Sequence, residues 1–297
     1  MAEHIDVEIP AEGVTLRGAL FLPDDPAPSN PAITLANGLG ALRNTIYSFA
    51  RKFAENGFVT LAHDHRNFGG SEGTPRHDID PWQQVADWRR AISFLESRPE
   101  VDSDRIGLWG TSYAGGHAIT LGGTDRRLKA VVSQVPLISG FQDYQRRVLP
   151  EDHSILEQEY SEDERAQLRG EAPRMVRLVD TDPGVPALYH AADIASAYLD
   201  TIPEGVEWHN QLTLRSIRKL RMYEPGSYIA RVSPTPLLMV VAAHDNMAPV
   251  DLALRAYESA LEPKQLEVVD GTHFTPYRAD FDQSSNAALN WFRRHLA

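Results

Sequence analysis

From Ala32 to Val135 short apolar runs alternate with stretches of helical spacing, and this alternation limits the fold more than any other feature of the chain. Ala32 to Ala36, Phe58 to Ala62, Arg105 to Trp109 and Ala130 to Val135 have the length and composition of strands. Arg43 to Asn56, closed by Gly57, then Trp82 to Glu96 and Tyr113 to Leu121, read as helices. Asp80 can cap the second, Pro81 suits its first position, and Val85, Trp88, Ile92 and Leu95 recur at helical spacing. Strands apolar on both faces belong in a parallel sheet covered by helices on each side. Upstream, Ile5, Val7 and Ile9 alternate with polar residues, and Val14 to Leu22 follows across Ala11-Glu12-Gly13, which predicts an antiparallel hairpin at a sheet edge. Pro23 to Pro31 holds too many prolines to continue a ladder and reads as a loop.

The rhythm stops near Pro136 and resumes at Pro236 with the strands Leu237 to Ala243 and Gln265 to Val269 and the helices Asp251 to Leu261 and Ser284 to Leu296. The interval between is polar, helical in pattern and rich in Glu and Arg, with an acidic stretch from Glu151 to Glu164 that reads as a solvated helix face. The expected organisation is a core of residues 1–137 and 233–297, with a mainly helical lid inserted at 138–232.

Composition removes several functions. The chain of 297 residues has no cysteine, so disulfides, thiolate metal sites and a cysteine nucleophile are out. With 41 acidic and 29 basic residues its net charge of −12 opposes binding to nucleic-acid phosphates or anionic lipid. Met1 to Asp6 is acidic and lacks a basic region followed by an apolar run, and no stretch reads as a membrane span, so the expectation is a cytoplasmic protein.

The strongest chemical signal is Arg105-Ile-Gly-Leu-Trp-Gly110-Thr-Ser112-Tyr-Ala-Gly115-Gly116. A strand ends, a serine sits at a turn among small residues, and a helix begins. This is the context of a nucleophile elbow, with Ala114 in place of the second glycine of G-x-S-x-G. A serine needs a base and a group to orient it. Asp245 follows the strand Leu237 to Ala243, and His273 follows the strand ending at Val269, so all three side chains leave carboxyl ends of parallel strands in the order Ser, acid, His. Backbone N–H groups of Tyr113 and of Leu39, in Asn37-Gly38-Leu39-Gly40, are the expected oxyanion donors.

Together these residues make the chain resemble α/β-hydrolase fold serine hydrolases over nearly its whole length. Asp64-His-Arg-Asn-Phe-Gly69-Gly-Ser71-Glu-Gly73 resembles the D-x-R-G-x-G-x-S segment of that superfamily. In detail the chain is similar to dienelactone-hydrolase-like and X-Pro-peptidase-like bacterial hydrolases and to the fungal polyketide transferase family, whose members carry segments like Trp208-His-Asn210 and Tyr223-Glu-Pro-Gly226-Ser-Tyr. The resemblance implies an eight-stranded, mostly parallel sheet, a Ser112-Asp245-His273 triad and no cofactor. It departs at Asn37, where many relatives have His, and at Thr275, where relatives often carry an acid; the second departure bears on substrate.

His63-Asp64-His65 has no third ligand at a characteristic spacing, so no metal is expected there. His244 beside Asp245 is a rival base, but it should point away from the acid in an extended segment. Tyr144, Tyr160, Tyr189, Tyr198, Trp208 and Tyr223 are candidates for pocket lining or for lid core. The reading is a hydrolase of a small-molecule ester or related acyl bond, with no nucleic-acid or membrane partner and with room for a homodimer. Its rivals keep the triad and transfer the acyl group to another acceptor, as a thioesterase-like or acyltransferase step, or cleave a carbon-carbon bond. A non-catalytic binding module ranks last.

Overall fold

The structure, a computed structural model, describes residues 4–24, 27–182 and 184–296. Met1 to Glu3, read above for a leader, and Asp25 and Pro26 of the proline-rich loop lie outside the described residues. In chain order the elements are β1 (His4–Ala11), β2 (Val14–Phe21), β3 (Asn30–Ala36), α1 (Tyr47–Ala54), β4 (Val59–His63), α2 (Pro81–Glu96), β5 (Val101–Thr111), α3 (Tyr113–Thr124) and β6 (Leu128–Gln134). Then come α4 (Gly140–Arg147), α5 (His153–Leu168), β7 (Met175–Val179), β8 (Ala187–Tyr189), α6 (Ala192–Leu199), β9 (Leu212–Thr213) and α7 (Leu214–Arg221). The chain ends with β10 (Leu237–Ala242), α8 (Val250–Ser259), β11 (Lys264–Val269) and α9 (Phe281–Leu296).

Eight strands form one sheet in the order β1-β2-β4-β3-β5-β6-β10-β11. The β1–β2 and β2–β4 pairs are antiparallel and the others parallel. Each face has its own core. On β5, Ile106 and Leu108 pack with Val85, Trp88 and Ile92 of α2 and Ile119 of α3, while Trp109 turns to Phe49 and Phe53 of α1 and Leu289 and Phe292 of α9. Complete burial of these side chains on both faces is the reason the strand sequences are continuously apolar.

Boundaries shift where polar residues hide them. β5 begins at Val101, ahead of the expected Arg105, because Asn30 of β3 pairs with Val101 and the register slips before Ala32. Arg43 to Ile46 is a 3-10 turn that precedes α1. Between β6 and β10 the four helices α4 to α7 accompany a small separate sheet, β8-β7-β9, which the sequence does not announce. None of the described helices is long and apolar enough to cross a membrane.

A third apolar cluster lies over the carboxyl ends of the strands. It joins Tyr113 of α3 and Leu39, Met247 and Phe274 of the core loops to Tyr160, Leu178, Tyr198 and Leu212 of the segment between β6 and β10.

Candidate active site

Ser112 sits between β5 and α3 with φ 57° and ψ −120°. A non-glycine residue there carries strain of about 1–3 kcal/mol, maintained because the flanking strand and helix are both fixed. Gly110 makes the turn sterically feasible, since a Cβ there would lie 2.2 Å from the Ala114 carbonyl oxygen. The alanine at the second glycine position costs nothing visible. Ala114 is buried in the core, and the tight packing falls one residue later, where a Cβ on Gly115 would lie 2.9 Å from the Gln134 carbonyl oxygen.

The three expected residues come together. His273 Nε2 is 3.0 Å from Ser112 Oγ, and His273 Nδ1 is 2.8 Å from Asp245 Oδ2. The other oxygen, Asp245 Oδ1, accepts from the Met247 and Ala248 N–H groups at 2.9 and 2.8 Å. Asp245 and His273 side chains are only 2 % and 3 % exposed, so the ion pair they can form is shielded from water. The Leu39 loop approaches from the other side: a Cβ on Gly38 would lie 2.8 Å from Ser112 Cβ. Among the described residues neither the Leu39 nor the Tyr113 N–H donates to another protein group.

Two cavities meet at Ser112 and His273. The first, of about 130 Å³, is walled by Tyr113, Leu137, Leu156, Leu188, Tyr189, Ile217, Leu220 and Met247 and is mainly apolar. Asp143 and Arg147 of α4 stand in its wall, joined by two 3.0 Å hydrogen bonds. Burial pushes the Asp143 carboxyl up although Arg147 opposes it, and burial raises the Tyr189 phenol to about 12. The second cavity, of about 180 Å³, lies against the Leu39 loop and the segment after His273 and includes Thr45, Thr201, Asp200 and Arg278.

The other constellations resolve into packing. His63 and His65 lie edge-on to Trp88, 5.7 and 6.5 Å between centroids, and burial holds both pKa values down, that of His65 at about 4. Asp64 between them accepts from Arg43 and the Gly70 N–H. Among the described residues no group of three or more His, Asp or Glu side chains is placed to hold a metal ion. His117 is buried between Tyr223 Oη at 2.9 Å and Gln84 Oε1 at 3.1 Å. His244 is 71 % exposed and lies 3.3 Å from Asp270. Of the aromatic candidates, Tyr144, Tyr160 and Tyr189 line the first cavity and Tyr198 the second, while Tyr223 is fully buried core.

Strand order, the serine turn and the hydrogen-bonded Ser, His and Asp define the class: this is an α/β-hydrolase. The chain belongs to the X-Pro dipeptidyl-peptidase (S15) family, whose pattern matches residues 12–275. It is 32 % identical over 292 residues, 98 % of this chain and 94 % of the relative, to the quorum-quenching protein AidA of Acinetobacter baumannii. It is 30 % identical to the polyketide transferase grgF of a Penicillium species over 98 % of this chain and 97 % of that one. The crystal structure of GrgF superposes with a TM-score of 0.86 over 99 % of both chains at 27 % identity. The thiohydrolase aneE of Aspergillus aculeatus is 29 % identical over 86 % of this chain and 81 % of its own. The protein is a hydrolase-family enzyme with thiohydrolases and polyketide transferases among its sequence relatives.

Proposed function

We propose that the protein cleaves an ester or related acyl bond of a small molecule through an acyl-enzyme on Ser112. The observation that carries this reading is the continuous chain from Ser112 Oγ through His273 to Asp245 on a strained turn. His273 Nε2 takes the hydroxyl proton as Ser112 Oγ attacks the acyl carbon; Asp245 fixes the Nδ1–H tautomer and stabilises the imidazolium. The carbonyl electron pair moves to oxygen, held by the Leu39 and Tyr113 N–H groups. As the pair returns, the leaving group departs with the proton from His273. Water, deprotonated by the same imidazole, then releases the acid. The segment 138–232 acts as the lid that shapes the pocket and limits bulk water. No step calls on a cofactor, and we read the protein as cytoplasmic.

The apolar cavity suits the acyl chain. The cavity beside the His273 segment suits the leaving group, which must receive its proton from Nε2. A dipeptidyl substrate would bring a free ammonium group, and the one carboxylate among the described residues of the apolar cavity, Asp143, is already held by Arg147. That favours an acyl chain over a peptide.

Ser112→Ala is expected to lower p-nitrophenyl ester turnover by roughly 10⁶-fold and to abolish fluorophosphonate labelling. Turnover equal to that of the native chain would remove the proposal. A second reading, acyl transfer, is favoured by the size of the leaving-group cavity, about 180 Å³, far beyond the need of one water. Acyl products formed in the presence of added alcohols, thiols or amines would identify it, because hydrolysis yields free acid alone.

A further inference from the structure

The loop presenting the Leu39 N–H is held largely from outside the core. After β3 the chain turns through Asn37-Gly38-Leu39-Gly40, with Gly40 at φ +66°. Its own restraints are a bond from Asn37 Nδ2 to the Leu42 carbonyl and a 3.3 Å bond from the Ala41 N–H to the Gly38 carbonyl. The next two carbonyls face the lid segment. Tyr198 Oη donates to the Leu39 carbonyl at 2.6 Å, and Trp208 Nε1 donates to the Gly40 carbonyl at 2.9 Å. The two rings pack together at 5.4 Å, and Tyr198 also meets Phe274, the neighbour of His273, at 6.3 Å. Tyr198 is 5 % exposed, and burial raises its phenol far above the ordinary range, which keeps it a proton donor.

These bonds matter because a backbone N–H stabilises an oxyanion only when its direction is fixed before charge develops. The Leu39 carbonyl and N–H are separated by the φ and ψ torsions of one residue. Pinning this carbonyl, and that of Gly40 next to it, restricts the local rotation that would swing the N–H away from Ser112. We propose that Tyr198 and Trp208 are positioning residues for the oxyanion site, so that the lid segment completes the catalytic geometry as well as covering it. This rests on the Ser112 acyl-enzyme reading above. Neither residue touches the reacting atoms; each acts through the Leu39 loop.

Tyr198→Phe and Trp208→Phe each remove one donor and leave an aromatic ring. Each is expected to lower kcat about tenfold with KM unchanged, less than the roughly 10²- to 10³-fold loss on removing an oxyanion donor itself. A trifluoromethyl ketone, which adds Ser112 Oγ and forms a hemiketal oxyanion, should bind more weakly in the same proportion, while the corresponding alcohol should bind as it does to the native protein. A raised KM with native kcat would overturn the proposal, as would a lower Tm with native kcat per fluorophosphonate-titrated site and native ketone affinity. Should Trp208→Phe fail to fold, Tyr198→Phe, which deletes a single oxygen, carries the test alone. If the native protein forms no ketone adduct, the acyl-enzyme reading fails, and this proposal with it.

Discussion

At Ser112 reactivity and stability pull in opposite directions. Its φ of 57° lies in the region that side chains avoid and glycine enters freely. The strain persists because Gly110 abuts the Ala114 carbonyl and Gly38 abuts Ser112 itself, which leaves the backbone no relaxed alternative. Replacing the serine separates the two effects. Ser112→Ala removes the hydroxyl and keeps a Cβ at positive φ, whereas Ser112→Gly removes both. Urea unfolding should find the glycine variant more stable than the alanine variant by about 1 kcal/mol, with both inactive. Equal midpoints would mean that the turn is not strained. The same residue scale accounts for the loop after β4: Asn67 stands at φ 70° where the D-x-R-G-x-G-x-S motif has glycine, a conformation that asparagine tolerates better than most residues.

At the scale of elements, α4 ties the segment between β6 and β10 to the loop carrying Asp245. Arg147 bonds Asp143 and also donates to the Met247 carbonyl, two residues beyond Asp245. Its neighbour Arg146 makes a bidentate pair with Asp251 of α8, at 2.6 and 2.8 Å. The two arginines differ in burial, so their removal should differ in cost. Arg147→Met leaves the Asp143 carboxylate, 15 % exposed, without its partner and should destabilise by about 3 kcal/mol, with much of that recovered when Asp143→Leu is added. Arg146→Ala breaks a pair whose members are each 42 % exposed and should cost less than about 1 kcal/mol. Urea midpoints of the three variants, set against the native chain, test the contrast. The core elements and the positions of Ser112, Asp245 and His273 are legible in the sequence, because apolar strands and the residues that follow them are local signals. The small sheet is not: β7 has only five residues, β8 three and β9 two. Nor are the bonds that Tyr198 and Trp208 make to the Leu39 and Gly40 carbonyls, 159 and 168 residues away. A carbonyl as acceptor imposes no residue type at its own position.

Across the whole molecule, the interior stores imidazoles in neutral form. His65 faces His63 at 5.4 Å, His117 at 5.7 Å and Trp88 at 6.5 Å, and all three histidines are buried. Burial holds the His65 pKa at about 4 and those of His63 and His117 well below the ordinary value of 6.5. The sign of the consequence follows from proton counts. As pH falls from 6.5 toward 4, the unfolded chain takes up protons at these positions and the folded chain does not, so stability declines through that window. His65 alone accounts for roughly 3 kcal/mol by pH 4. The buried carboxyls of Asp64, Asp87 and Asp143 are pushed up by burial and oppose this decline. His65→Phe keeps an aromatic ring against Trp88 and has nothing to protonate. Its unfolding free energy, measured in urea between pH 6.5 and 4.5, should fall with pH less steeply than that of the native chain, by about one proton. Parallel curves would show that His65 takes up its proton in the folded protein, and that the interior does not hold it neutral.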